Sequence, residues 1–137
     1  MNLISVAISH NTAAVEVRER MWLSIDEMRQ VLSQLKDRHL AECFLVSTCN
    51  RTELYGMAAD AQLEDSTLKE FLIDFKGARD MVQAGHFVGN FGGSAVNHLF
   101  KVVSGIDSMV IGDIQILNQV KEAFNVSKEM NTMGPVM

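Results

Sequence analysis

The stretch Glu42–Tyr55, ECFLVSTCNRTELY, holds both cysteines of the chain, and their surroundings differ. Cys43 sits within an apolar run, whereas Cys49 falls in the polar step Thr48-Cys49-Asn50 between two strand-like runs. A thiol at such a turn can be reached by a substrate, and its thiolate is the nucleophilic form. Arg51, two residues on, supplies a positive charge that favours that thiolate. Backbone N–H groups of a tight turn can also receive the oxyanion that forms when a carbonyl is attacked. The same residue types fit a blander arrangement, a partly buried cysteine capping a core. Residue types alone leave both open.

Arg51 and Glu53 alternate with Thr52 and Leu54, so on a strand they share one face. A guanidinium and a carboxylate beside Cys49 suit an amino acid, with Arg51 for its carboxylate and Glu53 for its ammonium. An ordinary ion pair between the two is the competing expectation. His98, near the start of an amphipathic segment, is a candidate acid, base or carbonyl partner, set against the more common role of a satisfied structural histidine. His10 stands at the end of the first strand on similar terms, and His39 and His86 rank below it. None of the four histidines shows metal-ligand spacing with the cysteines, so no metal is expected.

A polar, glycine-containing loop runs through Ser104-Gly105, Asp107-Ser108 and Gly112-Asp113, of the kind that borders sites. Its apolar Met109-Val110-Ile111 run reads as core, with contact to another domain as the alternative. Neither a G-x-G-x-x-G in a strand–turn–helix setting nor a phosphate-binding loop occurs, so no nucleotide cofactor is expected on this chain.

The elements that must position these residues follow from pattern. Leu3–Ser9, LISVAIS, predicts a strand, and His10-Asn11-Thr12 a turn whose Asn11 or Thr12 caps a short helix through Val17 and Arg20. Ser24 and Glu27 form a capping box ahead of Ile25, Met28, Val31, Leu32 and Leu35 at helical spacing. Residues 41–47 and 51–57 predict two strands joined across Cys49 as an antiparallel hairpin. Thr67 and Glu70 suggest a second capping box, before Leu68, Phe71, Leu72 and Phe75. Residues 81–88 form a weaker strand candidate. The order is that of a ferredoxin-like βαββαβ fold of the α+β class, an antiparallel sheet with helices on one face. Beyond it, Val96, Leu99, Phe100 and Val103 mark one helix, and Asp113 caps another bearing Ile116, Leu117, Val120 and Phe124. The expected division is a core at 1–89, a small helical extension at 90–130, and a loose tail at 131–137.

Composition narrows the class. With 47% apolar and 21% charged residues the body of the chain is not disordered. A net charge of -5 disfavours broad nonspecific binding to nucleic acid, though Arg18, Arg20, Arg51 and Lys101 can still converge locally. No apolar run is long enough to span a bilayer, and the first residues lack the basic start of a secretion signal. A cytoplasmic protein without a structural disulfide and without a membrane contact is expected.

Three stretches carry a resemblance. SVAISHNTAAVEVRE (5–19), VSTCNRTELY (46–55) and HLFKVVSGIDSMVIGDIQILNQVKEAF (98–124) are similar, in order and spacing, to the opening, the catalytic cysteine motif and the long signature of glutamyl-tRNA reductases. The resemblance spans essentially the whole chain and is weakest over 57–96. It implies an NADPH-dependent enzyme of tetrapyrrole (porphyrin) biosynthesis that converts glutamyl-tRNA to glutamate-1-semialdehyde. Cys49 would attack the ester and hold glutamate as a thioester, which hydride then reduces. Thr48, Asn50 and Arg51 match residues around the family's substrate pocket, with Arg51 gripping glutamate. His98 matches a motif histidine acting at the carbonyl or leaving group, and Ser108 and Gln115 match polar pocket positions. The family's acidic-proline pair appears as Asp113-Ile114, which keeps the carboxylate and loosens the helix start.

Family members continue into an NADPH-binding domain and a helical dimerisation domain, and neither is expected in this chain. Thioester formation or ester hydrolysis is then the most it would support alone. It would be a monomer, although the full-length family forms homodimers, and it would bind no cofactor. A small noncatalytic α/β binding module with structural cysteines is the alternative, and a thiol hydrolase unrelated to tRNA is a third reading.

Overall fold

The computed structural model describes residues 2–103 and 114–134, the second stretch with side chains from 118 onward. Its centre is a four-stranded sheet of β1 (Leu3–Ser9), β2 (Leu40–Ser47), β3 (Arg51–Ala58) and β4 (Val88–Phe91), in the order β2-β3-β1-β4. Every neighbouring pair is antiparallel. All seven residues of β1 are buried, as are the first six of β3. A strand covered on both faces has no polar side to present to water, which is why LISVAIS carries no strong alternation.

Register divides each strand between two faces. Val6 and Leu45 both lie opposite Leu54, giving an apolar face. Three helices cover it: α1 (Val15–Met21), α2 (Ile25–Arg38) and α3 (Asp65–Phe75). Met28, Val31, Leu32 and Leu35 of α2 and Leu68, Leu72 and Ile73 of α3 are buried in one core with Ile4, Val6 and Ile8. The Cys43 thiol points into this layer and approaches the Leu32 carbonyl at 3.7 Å. On the opposite face Ala7 and Val46 flank Glu53, Ser5 and Phe44 flank Tyr55, and Ser9 lies opposite Arg51. Helix α4 (Gly93–Val103) lies over this second face, and α5 (Ile114–Glu129) runs along the β2 edge between α4 and α2. The α+β class and antiparallel sheet are as expected from the sequence. The helices of the expected core cover one face, and the helical extension adds cover to the other.

Local signals explain most boundaries. The Ser24–Glu27 capping box forms in both directions and starts α2. Thr12, expected as a cap, instead accepts the Ser9 N–H and closes the turn after β1, and α1 starts at Ala14 with no side-chain cap. The Thr67–Glu70 box does not form, since α3 begins earlier, from Glu64. The weak strand expected over 81–88 is displaced. Residues Ala84–His86 make one 3₁₀ turn and pairing with β1 begins only at Val88. Gly85 broke that pattern, and β4 is a short edge strand held through Ile4–Ala7. In α4 the inward residues are Ala95, Val102 and partly Leu99, whereas Phe100 is 69% exposed. His98 falls on that inward stripe, so a polar side chain interrupts it.

After α5, Thr132 folds back with its N–H and hydroxyl both donated to the Ser127 carbonyl, and its own carbonyl accepts the Cys43 N–H at 2.8 Å. Thr132 is buried, so this part of the expected loose tail is docked on the β2 edge.

Gly56 is where the hairpin passes closest to its own neighbour. A Cβ there would lie 2.7 Å from Leu40 Cδ1 and 3.0 Å from the Glu42 carbonyl oxygen. Gly56→Ala should therefore destabilise the fold by about 1–3 kcal/mol through overpacking. A lowered urea midpoint with unchanged slope is the expected readout, and an unchanged midpoint would contradict this tight fit.

Candidate active site

The β2–β3 hairpin closes around Thr48-Cys49-Asn50. The Thr48 N–H donates to the Arg51 carbonyl at 2.7 Å, and the Asn50 N–H donates to Thr48 Oγ1 at 3.1 Å. Below the loop, Thr52 Oγ1 donates to the Met21 carbonyl at 3.0 Å. Its proton thus committed, Thr52 Oγ1 receives the Ser47 hydroxyl at 2.9 Å, and Ser47 in turn accepts the Leu23 N–H. The α1–α2 connection is thereby stitched to the hairpin mouth. Arg18 of α1 donates to Asn50 Oδ1 at 3.3 Å, holding the far side of the loop. Cys49 is exposed at the tip and Thr48 is buried beside it.

The two thiols are thus in opposite settings. Burial pushes the Cys43 thiol up to about 12, against smaller opposing effects of Thr132 and Lys36. A thiol so held is neither charged nor reachable near neutral pH.

Directly below the loop the odd-numbered face of β3 carries Arg51, Glu53 and Tyr55. Arg51 Nη1 lies 2.8 Å from Glu53 Oε2, with the two side chains 1% and 0% exposed. The Tyr55 hydroxyl donates to Glu53 Oε1 at 2.5 Å. From α4, His98 Nε2 comes within 3.2 Å of the same Oε1, a short contact but not a well-aligned hydrogen bond. The His98 ring also stacks near Tyr55, with centroids 6.4 Å apart. Burial drives the Glu53 carboxyl up, but His98, Arg51 and the Tyr55 hydroxyl outweigh it and hold the carboxyl below its ordinary value.

Of the residues singled out from sequence, Arg51, Glu53 and His98 meet in one buried cluster, and Thr48, Cys49 and Asn50 form the loop above Arg51. The ion pair that competed with amino-acid binding is present: both Glu53 oxygens are engaged by the protein itself. Gln115 falls in the first turn of α5, and Ser108 and Asp113 lie outside the described residues. Arg20 does not join a basic patch, being paired with Asp80 at 2.8 Å. His39 ends α2, and His86 accepts the Gln83 N–H within its 3₁₀ turn. Sequence reasoning passed over Tyr55 and the Arg18–Asn50 contact. The period-2 spacing 51, 53, 55 could have signalled the first, whereas the second joins residues far apart in the chain and had no local signal.

An apolar cavity of about 440 Å³ lies between the sheet and α4–α5, lined by Phe44, Leu99, Phe100, Val120 and Phe124 among others. Tyr55 borders it and Cys49 does not, so it is not the space above the thiol. Among the described residues no group of histidine, cysteine and carboxylate side chains is arranged to hold a metal, and no helix is long and apolar enough to cross a membrane.

Two measurements check this geometry. Iodoacetamide at pH 8 should label Cys49 and leave Cys43 untouched in the native protein, as read by peptide mass mapping. Equal labelling would contradict the burial of Cys43. Because Glu53 titrates lower when folded, its contribution to stability is complete above the unfolded value of about 4.3 and is lost as pH falls through the folded one. Glu53→Gln should flatten that acid limb in urea titrations and cost about 3–5 kcal/mol at neutral pH, since Arg51 stays buried without its partner.

Comparison with known proteins adds to this geometry. The family described as "Glutamyl-tRNAGlu reductase, N-terminal domain" matches residues 6–137. A glutamyl-tRNA reductase of Chloroherpeton thalassium is 44% identical over 100% of this chain, and one of Chlorobium limicola 45% over 98%; in each case the match covers 32% of the relative. The solved glutamyl-tRNA reductase from Methanopyrus kandleri superposes with a TM-score of 0.72 at 32% identity, covering 98% of this chain and 30% of that one. The chain thus spans about a third of the length of the curated relatives it matches. A family profile matched over nearly every residue, with full-length coverage by relatives and the same overall fold, places the chain in the glutamyl-tRNA reductase family, as its N-terminal domain.

Proposed function

We propose that this chain supplies the covalent half of glutamyl-tRNA reduction, with Cys49 as nucleophile. The observation that carries the reading is the contrast between the thiols: Cys49 is exposed at the tip of a pinned loop, and Cys43 is buried. In the first step the Cys49 thiol gives up its proton and sulfur bonds to the carbonyl carbon of the glutamyl ester. The C–O bond to the terminal ribose then breaks, that oxygen takes a proton, and tRNA departs to leave a glutamyl thioester. The Thr48 hydroxyl, the Asn50 amide and the Cys49 N–H face the carbonyl oxygen as charge develops on it. Arg51 offers the glutamate carboxylate a guanidinium already oriented by Glu53. His98 serves the carbonyl or the leaving oxygen, and Ser108 and Gln115 add polar contacts to the substrate.

NADPH supplies the hydride that converts such a thioester to glutamate-1-semialdehyde. The described residues contain no glycine-rich cradle for it. In this reading the cofactor, the contacts between two copies of the full-length protein and the tetrapyrrole pathway function belong with the two-thirds of the relatives' length that lies beyond the match. Alone, the chain is a cytoplasmic monomer that forms the thioester and releases glutamate slowly by hydrolysis.

Incubation with glutamyl-tRNA followed by intact-mass and peptide analysis tests the central step. The expected product is one glutamyl adduct on the Cys49 peptide, labile to hydroxylamine and absent from Cys49→Ser. An adduct that persists in Cys49→Ser, or none in the unaltered chain, would overturn the assignment.

A further inference from the structure

The cluster beneath the loop has a hub. Three groups converge on one carboxylate: Arg51 on Oε2, and Tyr55 and His98 on Oε1, with Glu53 wholly buried among them. A carboxylate so occupied has no open side to offer a substrate ammonium. It does have what is needed to hold two other side chains still. We propose that Glu53, steadied by the Tyr55 hydroxyl, is a positioning residue that fixes the ring orientation and tautomer of His98 and the plane of Arg51 for the reaction at Cys49.

The chemistry follows from which ring atom faces the carboxylate. Nε2 of His98 is the nitrogen 3.2 Å from the Glu53 carboxylate, and the negative charge there favours a proton on Nε2. The ionised carboxylate also stabilises the imidazolium formed when Nδ1 is protonated, the role a buried carboxylate plays behind a catalytic histidine elsewhere. Tyr55 matters because it donates to the same oxygen and stacks on the ring, so it limits how Glu53 can turn and how His98 can tilt. Other charged groups flank this face. Lys101 is one turn along α4 and exposed, Glu42 lies near the opposite end of the hairpin, and Lys121, Glu122, Lys128 and Glu129 of α5 are exposed.

The inference deepens the reading of Cys49 as nucleophile and rests on it for its catalytic meaning, but its first test does not. Nitrogen-15 spectra of the histidine rings across pH, with His98 identified through His98→Gln, should show neutral His98 as one Nε2–H tautomer. In Glu53→Gln that preference should be lost and the His98 titration midpoint should fall by about a unit, a tenfold change in its protonation ratio. Should Glu53→Gln not fold, Tyr55→Phe retains the charge and the ring, and its His98 midpoint and tautomer balance should still move while the other three histidines titrate as before. The second test is the pH profile of Cys49 acylation by glutamyl-tRNA. Tyr55→Phe should slow it several-fold and displace its acid limb, with iodoacetamide labelling of Cys49 unchanged. An unmoved His98 signal in these variants, or a Tyr55→Phe acylation profile superimposable on that of the unaltered chain, would overturn the proposal. Absence of acylation in the unaltered chain would instead count against Cys49 as nucleophile, and the ring spectra would still judge Glu53.

Discussion

A guanidinium and a carboxylate packed side by side on one strand, both shielded from water, set conditions that the rest of this molecule must meet. Removing two such charges from solvent costs several kcal/mol for each ion, and their attraction repays this only when the remaining hydrogen-bonding capacity is used. Glu53 uses its capacity on Arg51, Tyr55 and His98. One of these partners comes from α4, so the second face of the sheet has to be covered by a helix bearing a polar residue on its inward stripe. Ala95, His98 and Val102 of α4 lie on that inward stripe.

Strand β3 separates two tasks by the alternation of its side chains. Thr52, Leu54 and Gly56 face α1 and α2: Leu54 fills the core, Gly56 lets the hairpin close on Leu40, and Thr52 ties the strand to Met21. Arg51, Glu53 and Tyr55 face α4 and build the cluster. A slip of one residue in register would exchange the two sets, putting charge against the leucines of α2. Pairing on both sides, with β1 and with β2, holds the register against that slip. The loop above inherits the precision of the strand, because it is closed by the Arg51 carbonyl and needs only three residues to turn.

Much of this was legible before folding was known. Leu3–Ser9, the Ser24–Glu27 capping box and the hairpin around Cys49 were legible because each depends on neighbours in the chain. The misreadings are of another kind. Thr12 and Thr67 have the side chains of helix caps, but α1 and α3 start from Ala14 and Glu64 with no side-chain cap. The last strand was expected too early, since only contact with Ile4–Ala7 makes Val88–Phe91 a strand at all. Phe100 looked like core on periodicity, but it is largely exposed at the wall of the cavity between α4 and α5.

By itself the sequence determined which residues can do chemistry and how they alternate: a thiol at a turn, then Arg51 and Glu53 on one face. Local spacing fixes such things, because backbone geometry repeats every two residues in a strand. Tertiary structure decided what each residue is free to do. It left Cys49 open and closed off Cys43, brought His98 and Tyr55 to the Glu53 carboxylate, and drew Arg18 to the cysteine loop. Burial and long-range pairing depend on which elements lie above and below a strand, and no window of sequence around Cys49 contains α1 or α4.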